Sequence, residues 1–225
     1  MTLRYLNFNT HTFRNVNVSF LIKLTDTKDI WLFNCIEGSQ FNFSSQSFRI
    51  SNLSKIIIPS LHISSISGLL GLLSTLNLTG RVKPLHIYAP INLSYYLDLG
   101  KKYSKTNFGY VLYIHTLKTG LMINHYNCRI YTLNLNSVYE FFIVQSRQPG
   151  TFSLLEARNN YIVPGPLYGK LKKGLSFLFS DGFILNGSHF TCSIFIGSQI
   201  YCLFSLFYSR KLFESTKKSR LILFM

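Results

Sequence analysis

With 225 residues, 47% of them hydrophobic, and a net charge of +15, the chain has length for one sizeable core and is too apolar for a disordered polyelectrolyte. The basic excess favours polyanions, either nucleic acid or the anionic face of a membrane. Cys35, Cys128, Cys192 and Cys202 are scattered, which excludes a disulfide scaffold or zinc-finger spacing and reads as buried thiols in a reducing compartment.

Taken in chain order, residues 3–8 and 17–24 are strand-like, rich in β-branched and aromatic residues. A polar turn around Thr10-His11-Thr12 joins them. Residues 29–34 form a third strand and Cys35 to Gln40 the loop leaving it. Ile56 to Ile58 form a fourth strand. Residues 68–77 are predicted helical, with Leu69, Leu70, Leu72, Leu73 and Leu76 on one face. A strand at 83–88 ends in Ala89-Pro90, and a helix at 92–101 follows. Strands recur at 109–116, 128–135 and 140–145. This order predicts a layered α/β fold. The stretch 146–190 is irregular, with Pro149-Gly150, Pro164-Gly165-Pro166 and Gly169. It reads as an excursion from the core.

Two further features bear on location. The start lacks both the apolar stretch of a signal peptide and the Arg/Ser-rich pattern of a transit peptide. Phe190 to Ser209 carries no charge and precedes Arg210, Lys211, Lys217, Lys218 and Arg220, the flanking charge of a membrane span. Ser193, Gly197, Ser198, Gln199 and Ser205 make it polar for a span. A buried strand, a turn and an amphipathic helix fit it better. Alanine occurs only at Ala89 and Ala157, a mark of AT-rich coding.

Several motifs then fall in order. Arg14-Asn15 closes the first turn. Phe33-Asn34-Cys35-Ile36-Glu37-Gly38-Ser39-Gln40 follows the third strand, and Pro59-Ser60-Leu61-His62-Ile63-Ser64-Ser65 follows the fourth. Pro84-Leu85-His86-Ile87-Tyr88-Ala89-Pro90, Pro149-Gly150-Thr151-Phe152 and the run from Val163 to Gly174 come next. The series resembles ribonuclease Z, the zinc endonuclease that trims the 3′ end of precursor tRNA. The resemblance implies a metallo-β-lactamase αββα sandwich with a protruding arm, incomplete at its C-terminus. It makes residues 1–225 a single domain and 149–190 a tRNA-binding arm.

In that family the turn after the fourth strand reads Thr-His-Leu-His-Gly-Asp-His. Its His and Asp residues hold two metals that polarise the scissile phosphate and generate hydroxide. Here Ser60, Ser64 and Ser65 stand at the other ligand places, and His62 is the sole ligand position retained. Ile63 stands where the family has a turn glycine, Asn136 where it has a later His, and Ser198 where it has the bridging Asp. Phe213-Glu214 is the nearest match to a later His-Glu pair. His11, His86, His115, His125 and His189 have no partner at i+2 or i+4 that would pair imidazoles. No catalytic set is intact on this reading, so the resemblance implies zinc for the family and none bound here.

The arm residues Gly165, Pro166, Lys170, Lys172 and Lys173 imply a basic loop that grips tRNA or precursor tRNA away from the cut. The expected function is a catalytically inactive relative in tRNA 3′-end maturation, self-paired or paired with an intact homologue. The alternatives are an active zinc phosphodiesterase cutting the 3′ trailer and a membrane-associated structural protein. The expected location is the plastid stroma if the chain is organelle-encoded and the cytoplasm otherwise.

Overall fold

The computed structural model describes residues 2–6, 19–24, 27–45, 48–126, 128–135, 138–146, 151–179, 182–192, 199–203 and 221–224. The readings at His11, Arg14-Asn15, Asn136, Pro149-Gly150, Ser198 and Phe213-Glu214 lie outside these residues.

Six strands build the first sheet in chain order: β1 Thr2–Leu6, β2 Ser19–Lys23, β3 Ile30–Phe33, β4 Leu53–Ile57, β5 Leu85–Ala89 and β6 Leu112–Thr116. The first three pair antiparallel, and β3 to β6 run parallel. Parallel strands need crossovers. Helices α1 Ser39–Ser45, α2 Ile63–Ile66, α3 Leu69–Leu78 and α4 Leu93–Ser104 lie in these connections.

Helix α3 forms because Leu69, Leu72, Leu73 and Leu76 recur at i, i+3, i+4 and i+7 and are all fully buried. It ends at Gly80, whose φ of 71° suits the left-handed position after a helix. The leucines pack with Phe43 of α1 and Leu93 and Leu97 of α4 against Leu32, Leu53, Ile56, Leu85 and Ile87 of the sheet. Helix α1 is absent from the sequence reading. Its run, Ser-Gln-Phe-Asn-Phe-Ser-Ser, has little helix preference. Burial of Phe43 is the contact that holds it.

The second sheet has the order β15-β14-β9-β8-β7, with β7 Gly120–His125, β8 Cys128–Leu135, β9 Val138–Gln145, β14 Gln199–Leu203 and β15 Leu221–Phe224. Its inner face, Ile123, Ile130, Phe141, Ile143 and Ile200, meets Phe20, Ile22, Trp31, Phe33 and Ile57 of the first sheet. This is the helix–sheet–sheet order of the expected sandwich. Within the uncharged stretch, β14 is a buried strand, with Ile200 and Cys202 inside, and residues 193–198 and 204–209 lie outside the described residues. Among the described residues no helix is long and apolar enough to cross a membrane.

Among the described residues, β6 is the last strand at its end of the first sheet. Tyr113 and Ile114 on it are 48% and 40% exposed.

In the chain between β9 and β14, the described residues 151–179 and 182–192 make a separate small body. Strands β10 Thr151–Phe152 and β13 Thr191–Cys192 pair at its base. Helices α5 Leu154–Asn159 and α6 Pro166–Lys172 and the hairpin β11 Ser176–Leu178 with β12 Ile184–Asn186 complete it. Ala157, Leu171, Leu185 and Phe190 form its core.

Glu140 is fully buried on the outward side of β9. Its Oε2 accepts a hydrogen bond from the Tyr201 hydroxyl at 3.0 Å, and Oε1 has no partner among the described residues. Burial raises its pKa, opposed in smaller measure by the Tyr201 bond. A carboxyl raised in the folded state stabilises the fold below its unfolded pKa, and that contribution is lost as pH rises through the folded value. Glu140→Gln keeps an acceptor for Tyr201. The variant is therefore expected to lose less stability than the parent between about pH 5 and about pH 8. Urea midpoints at the two pH values test this. Equal losses in both chains would mean that Glu140 does not carry the effect.

Candidate functional site

The turn after β4 is held from three sides. Pro59 accepts the Tyr139 amide at 3.0 Å, which ties the turn to the second sheet. Asn34, with φ 65°, donates its amide to Ile57, and the Cys35 amide donates to the Ser65 carbonyl at 3.1 Å. Gly68 donates to the Cys35 carbonyl at 3.1 Å. A Cβ on Gly68 would lie 1.9 Å from the Ile36 carbonyl oxygen. Only glycine permits that approach, and it presses α3 against the loop beside the turn.

His62 is the N-cap of α2. Its Nδ1 accepts the Ser64 amide at 3.4 Å and lies 2.8 Å from the Ser64 hydroxyl. This bonding assigns the ring proton to Nε2. Ser60 and Ser65 face each other with their hydroxyl oxygens 3.2 Å apart, and Ser65 is buried. Ile63 opens α2 and is not among the residues with positive φ.

The chemistry of this donor set does not fit a dinuclear metal centre. Zinc takes imidazole, thiolate or carboxylate. The turn offers one imidazole and three neutral hydroxyls, and the hydroxyls bond to each other or to His62. Among the described residues no three of His, Cys, Asp and Glu come together. The buried thiols add nothing, since burial pushes Cys35 and Cys128 up to about 12 and a thiolate is needed to ligate.

The structure corrects one sequence reading of the histidines. His86 and His115 do meet. His86 Nδ1 lies 3.0 Å from His115 Nε2 across β5 and β6. Spacing along the chain cannot reveal a partner supplied by strand pairing. Tyr113 stacks on His86 and Tyr88 on His115, while the two imidazoles, inclined by 15°, meet edge to edge. Burial, then Lys55 and His115, lower the pKa of His86. His125 sits edge-on to Trp31, and His189 lies exposed in the single turn Gly187–Phe190.

The arm residues stand differently from expectation too. Pro166, Lys170 and Lys172 belong to helix α6, with Gly165 before it and Lys173 at its end. They do not form a loop. Leu167, Tyr168 and Leu171 turn inward on the small core, and that burial winds the segment. Backbone amides are thus spent within the helix, while the side chains of Lys170, Lys172 and Lys173 are exposed. Lys170 Nζ sits 5.9 Å from the Phe177 ring centre.

No family model matches the chain. The protein named ycf56 of Pyropia yezoensis is 37% identical over 199 residues, covering 87% of this chain and 76% of that protein. Its counterpart in Porphyra purpurea is 36% identical, with 88% and 76% covered. Ribonuclease Z of Picosynechococcus is 34% identical over 86% of this chain. The chain spans 62% of that enzyme's length. Among solved structures, human tRNase Z, short form, matches with a TM-score of 0.52 at 20% identity, covering 64% of each chain. A long form RNase Z from yeast also scores 0.52, at 16% identity over 65% of this chain and 26% of its own. The two structures share the sandwich described above, and the sequence relatives share most of the chain. This chain therefore belongs to the ycf56 family and is a homologue of ribonuclease Z with the metallo-β-lactamase fold.

Proposed function

We propose that this chain is an RNA-binding relative of ribonuclease Z that does not cleave. In this reading it holds tRNA or precursor tRNA through its arm and leaves hydrolysis to an intact enzyme. The observation that carries it is the hydroxyl pair of Ser60 and Ser65 beside the bonded His62 and Ser64. A serine hydroxyl cannot replace imidazole or carboxylate as a ligand, nor act as a base near neutral pH.

Binding needs less than cleavage. Phosphate contacts require exposed positive charge, and Lys170, Lys172 and Lys173 project it from one short helix. Gly165 and Pro166 set where that helix starts. The +15 charge of the chain adds a diffuse attraction. The relatives from Pyropia and Porphyra and the scarcity of alanine support a plastid location, in the stroma. Fractionation of plastids checks that part, and recovery of the protein outside them would refute it.

A precursor tRNA with a 3′ trailer is expected to bind without being cut, with or without added zinc. Replacing Lys170, Lys172 and Lys173 together by alanine is expected to weaken binding about tenfold. It should also flatten the salt dependence by about one unit of log–log slope per lysine. Chelator-sensitive cutting at the trailer junction would establish the active phosphodiesterase instead. Unchanged affinity in the triple variant would remove the arm from the proposal.

A further inference from the structure

We propose that the end of the first sheet, where β5 and β6 carry His86, Tyr88, Tyr113 and His115 beside Lys55, is a stacking platform for unpaired RNA bases. The inference rests on the RNA-binding reading and adds a second contact surface to it, apart from the arm. Strand register places Trp31, Lys55, His86 and Tyr113 in one row across β3 to β6, and Phe33, Ile57, Tyr88 and His115 in the next. Trp31, Phe33 and Ile57 pack against the second sheet, so both rows lie on the face turned toward it. The cover runs out along the first row. Trp31 is fully buried, Lys55 and His86 are half-buried, and Tyr113 is 48% exposed.

The rings are held in fixed orientations. Tyr113 stacks on His86 with centres 5.0 Å apart and planes inclined by 17°, and His115 stacks on Tyr88 at 4.6 Å and 18°. The in-line contact between His86 Nδ1 and His115 Nε2, at 3.0 Å, ties the two pairs together. Tyr113 and His115 stand on β6, the last described strand at this end of the sheet. Each has one face on its β5 partner, so the opposite face is turned away from β5. Alternate positions on a strand lie about 6.6–6.8 Å apart, so β6 offers two neighbouring rings to successive bases.

Bases stack on aromatic side chains whatever their identity, because every base has a π face, and a cation alongside meets the phosphates. Aromatic residues on neighbouring strands of a sheet can hold two or three bases in this way. Lys55 supplies the charge. Register puts it beside His86, and its ammonium lies 4.9 Å from the Trp31 ring centre. Asp29 is the opposing carboxylate, acting on Lys55 electrostatically within a chain of charge +15. Cross-strand ring pairs also steady a sheet, but that needs neither imidazoles nor a cation in the row. Duplex RNA closes its bases into its own stack, so the occupant is single-stranded.

The test is fluorescence anisotropy of a labelled oligouridylate of about eight nucleotides, run beside the precursor tRNA. The oligonucleotide is expected to bind, and Tyr113→Ala and His115→Ala should each weaken it about tenfold. Tyr113→Phe, which keeps the ring, should bind as the parent does. Lys55→Gln should flatten the salt dependence by about 0.7 of a log–log unit. The triple alanine variant at Lys170, Lys172 and Lys173 should hold the oligonucleotide as the parent does. Melting verifies that each variant folds, and His115→Ala carries the test if Tyr113→Ala does not. No binding of the oligonucleotide, equal affinity of Tyr113→Ala and the parent, or equal competition by a duplex of the same length would overturn the platform. If the tRNA alone binds, and is weakened by the triple variant, the arm reading stands and the platform falls. If Tyr113→Ala weakens the oligonucleotide while the triple variant leaves tRNA affinity unchanged, the platform stands and the arm falls.

Discussion

Replacing Phe33 with alanine is expected to remove about 3–5 kcal/mol of folding stability. Phe33 is fully buried where the two sheets face each other. It stacks on Phe20 with ring centres 4.4 Å apart and meets Phe141 edge-on at 5.7 Å. Truncation opens a void that neither neighbour can fill without leaving its own rotamer, so transfer and cavity costs add. Total stability of such a domain is about 5–15 kcal/mol, so one substitution takes a large share. It also loosens Asn34 and Cys35, whose amides anchor the turn at residues 59–65. Urea denaturation followed by near-ultraviolet circular dichroism measures the loss. A change below about 1 kcal/mol would show that the sheets do not pack tightly there.

Gly68→Ala is the second large effect, expected at about 3 kcal/mol, the upper end of ordinary overpacking. Gly68 has an unremarkable helical conformation, φ −84°, so backbone strain is not the reason. The added methyl would meet the Ile36 carbonyl at 1.9 Å for oxygen and 2.7 Å for carbon, with the Cys35 oxygen at 3.2 Å. These are backbone atoms that cannot swing aside as a side chain would. Helix α3 must retreat, or the loop at 34–38 must. Gly169 supplies the control. It lies within α6 with nothing within 4 Å of the added carbon, and Gly169→Ala should stabilise by about 0.5–1 kcal/mol through helix preference. Thermal melting of the two variants side by side reads both signs. Equal stability of Gly68→Ala and the parent would refute the close approach.

How much of this was legible in the sequence depends on which interactions are local. Helix α3 was readable because Leu69, Leu72, Leu73 and Leu76 repeat at helical spacing. Strands β3 and β4 were readable because both faces of a central parallel strand are apolar. The substitutions at Ser60, Ser64 and Ser65 were visible through the order of the surrounding motifs. What those hydroxyls bond to was not, since Ser60 meets Ser65 only after α2 forms. The His86–His115 contact depends on strand pairing across 29 positions, which no spacing rule contains. Lys170, Lys172 and Lys173 stand out in the sequence, but Pro164-Gly165-Pro166 hides their helix. A proline at the first helical position starts a helix as readily as it breaks one. Strand β15 gave no signal beyond four apolar residues after a basic stretch.

The exposed rim at β6 has a colloidal consequence. From Tyr110 to Thr116 the chain reads Tyr-Val-Leu-Tyr-Ile-His-Thr, with no lysine or carboxylate to deter a neighbouring molecule from adding its own strand. Mutual repulsion between bodies of charge +15 opposes such pairing. That repulsion reaches about 10 Å in 0.1 M salt and about 3 Å in 1 M salt. The same surplus of lysine and arginine that favours polyanions therefore opposes edge-to-edge association, and concentrated electrolyte or a neutralising polyanion would screen both at once.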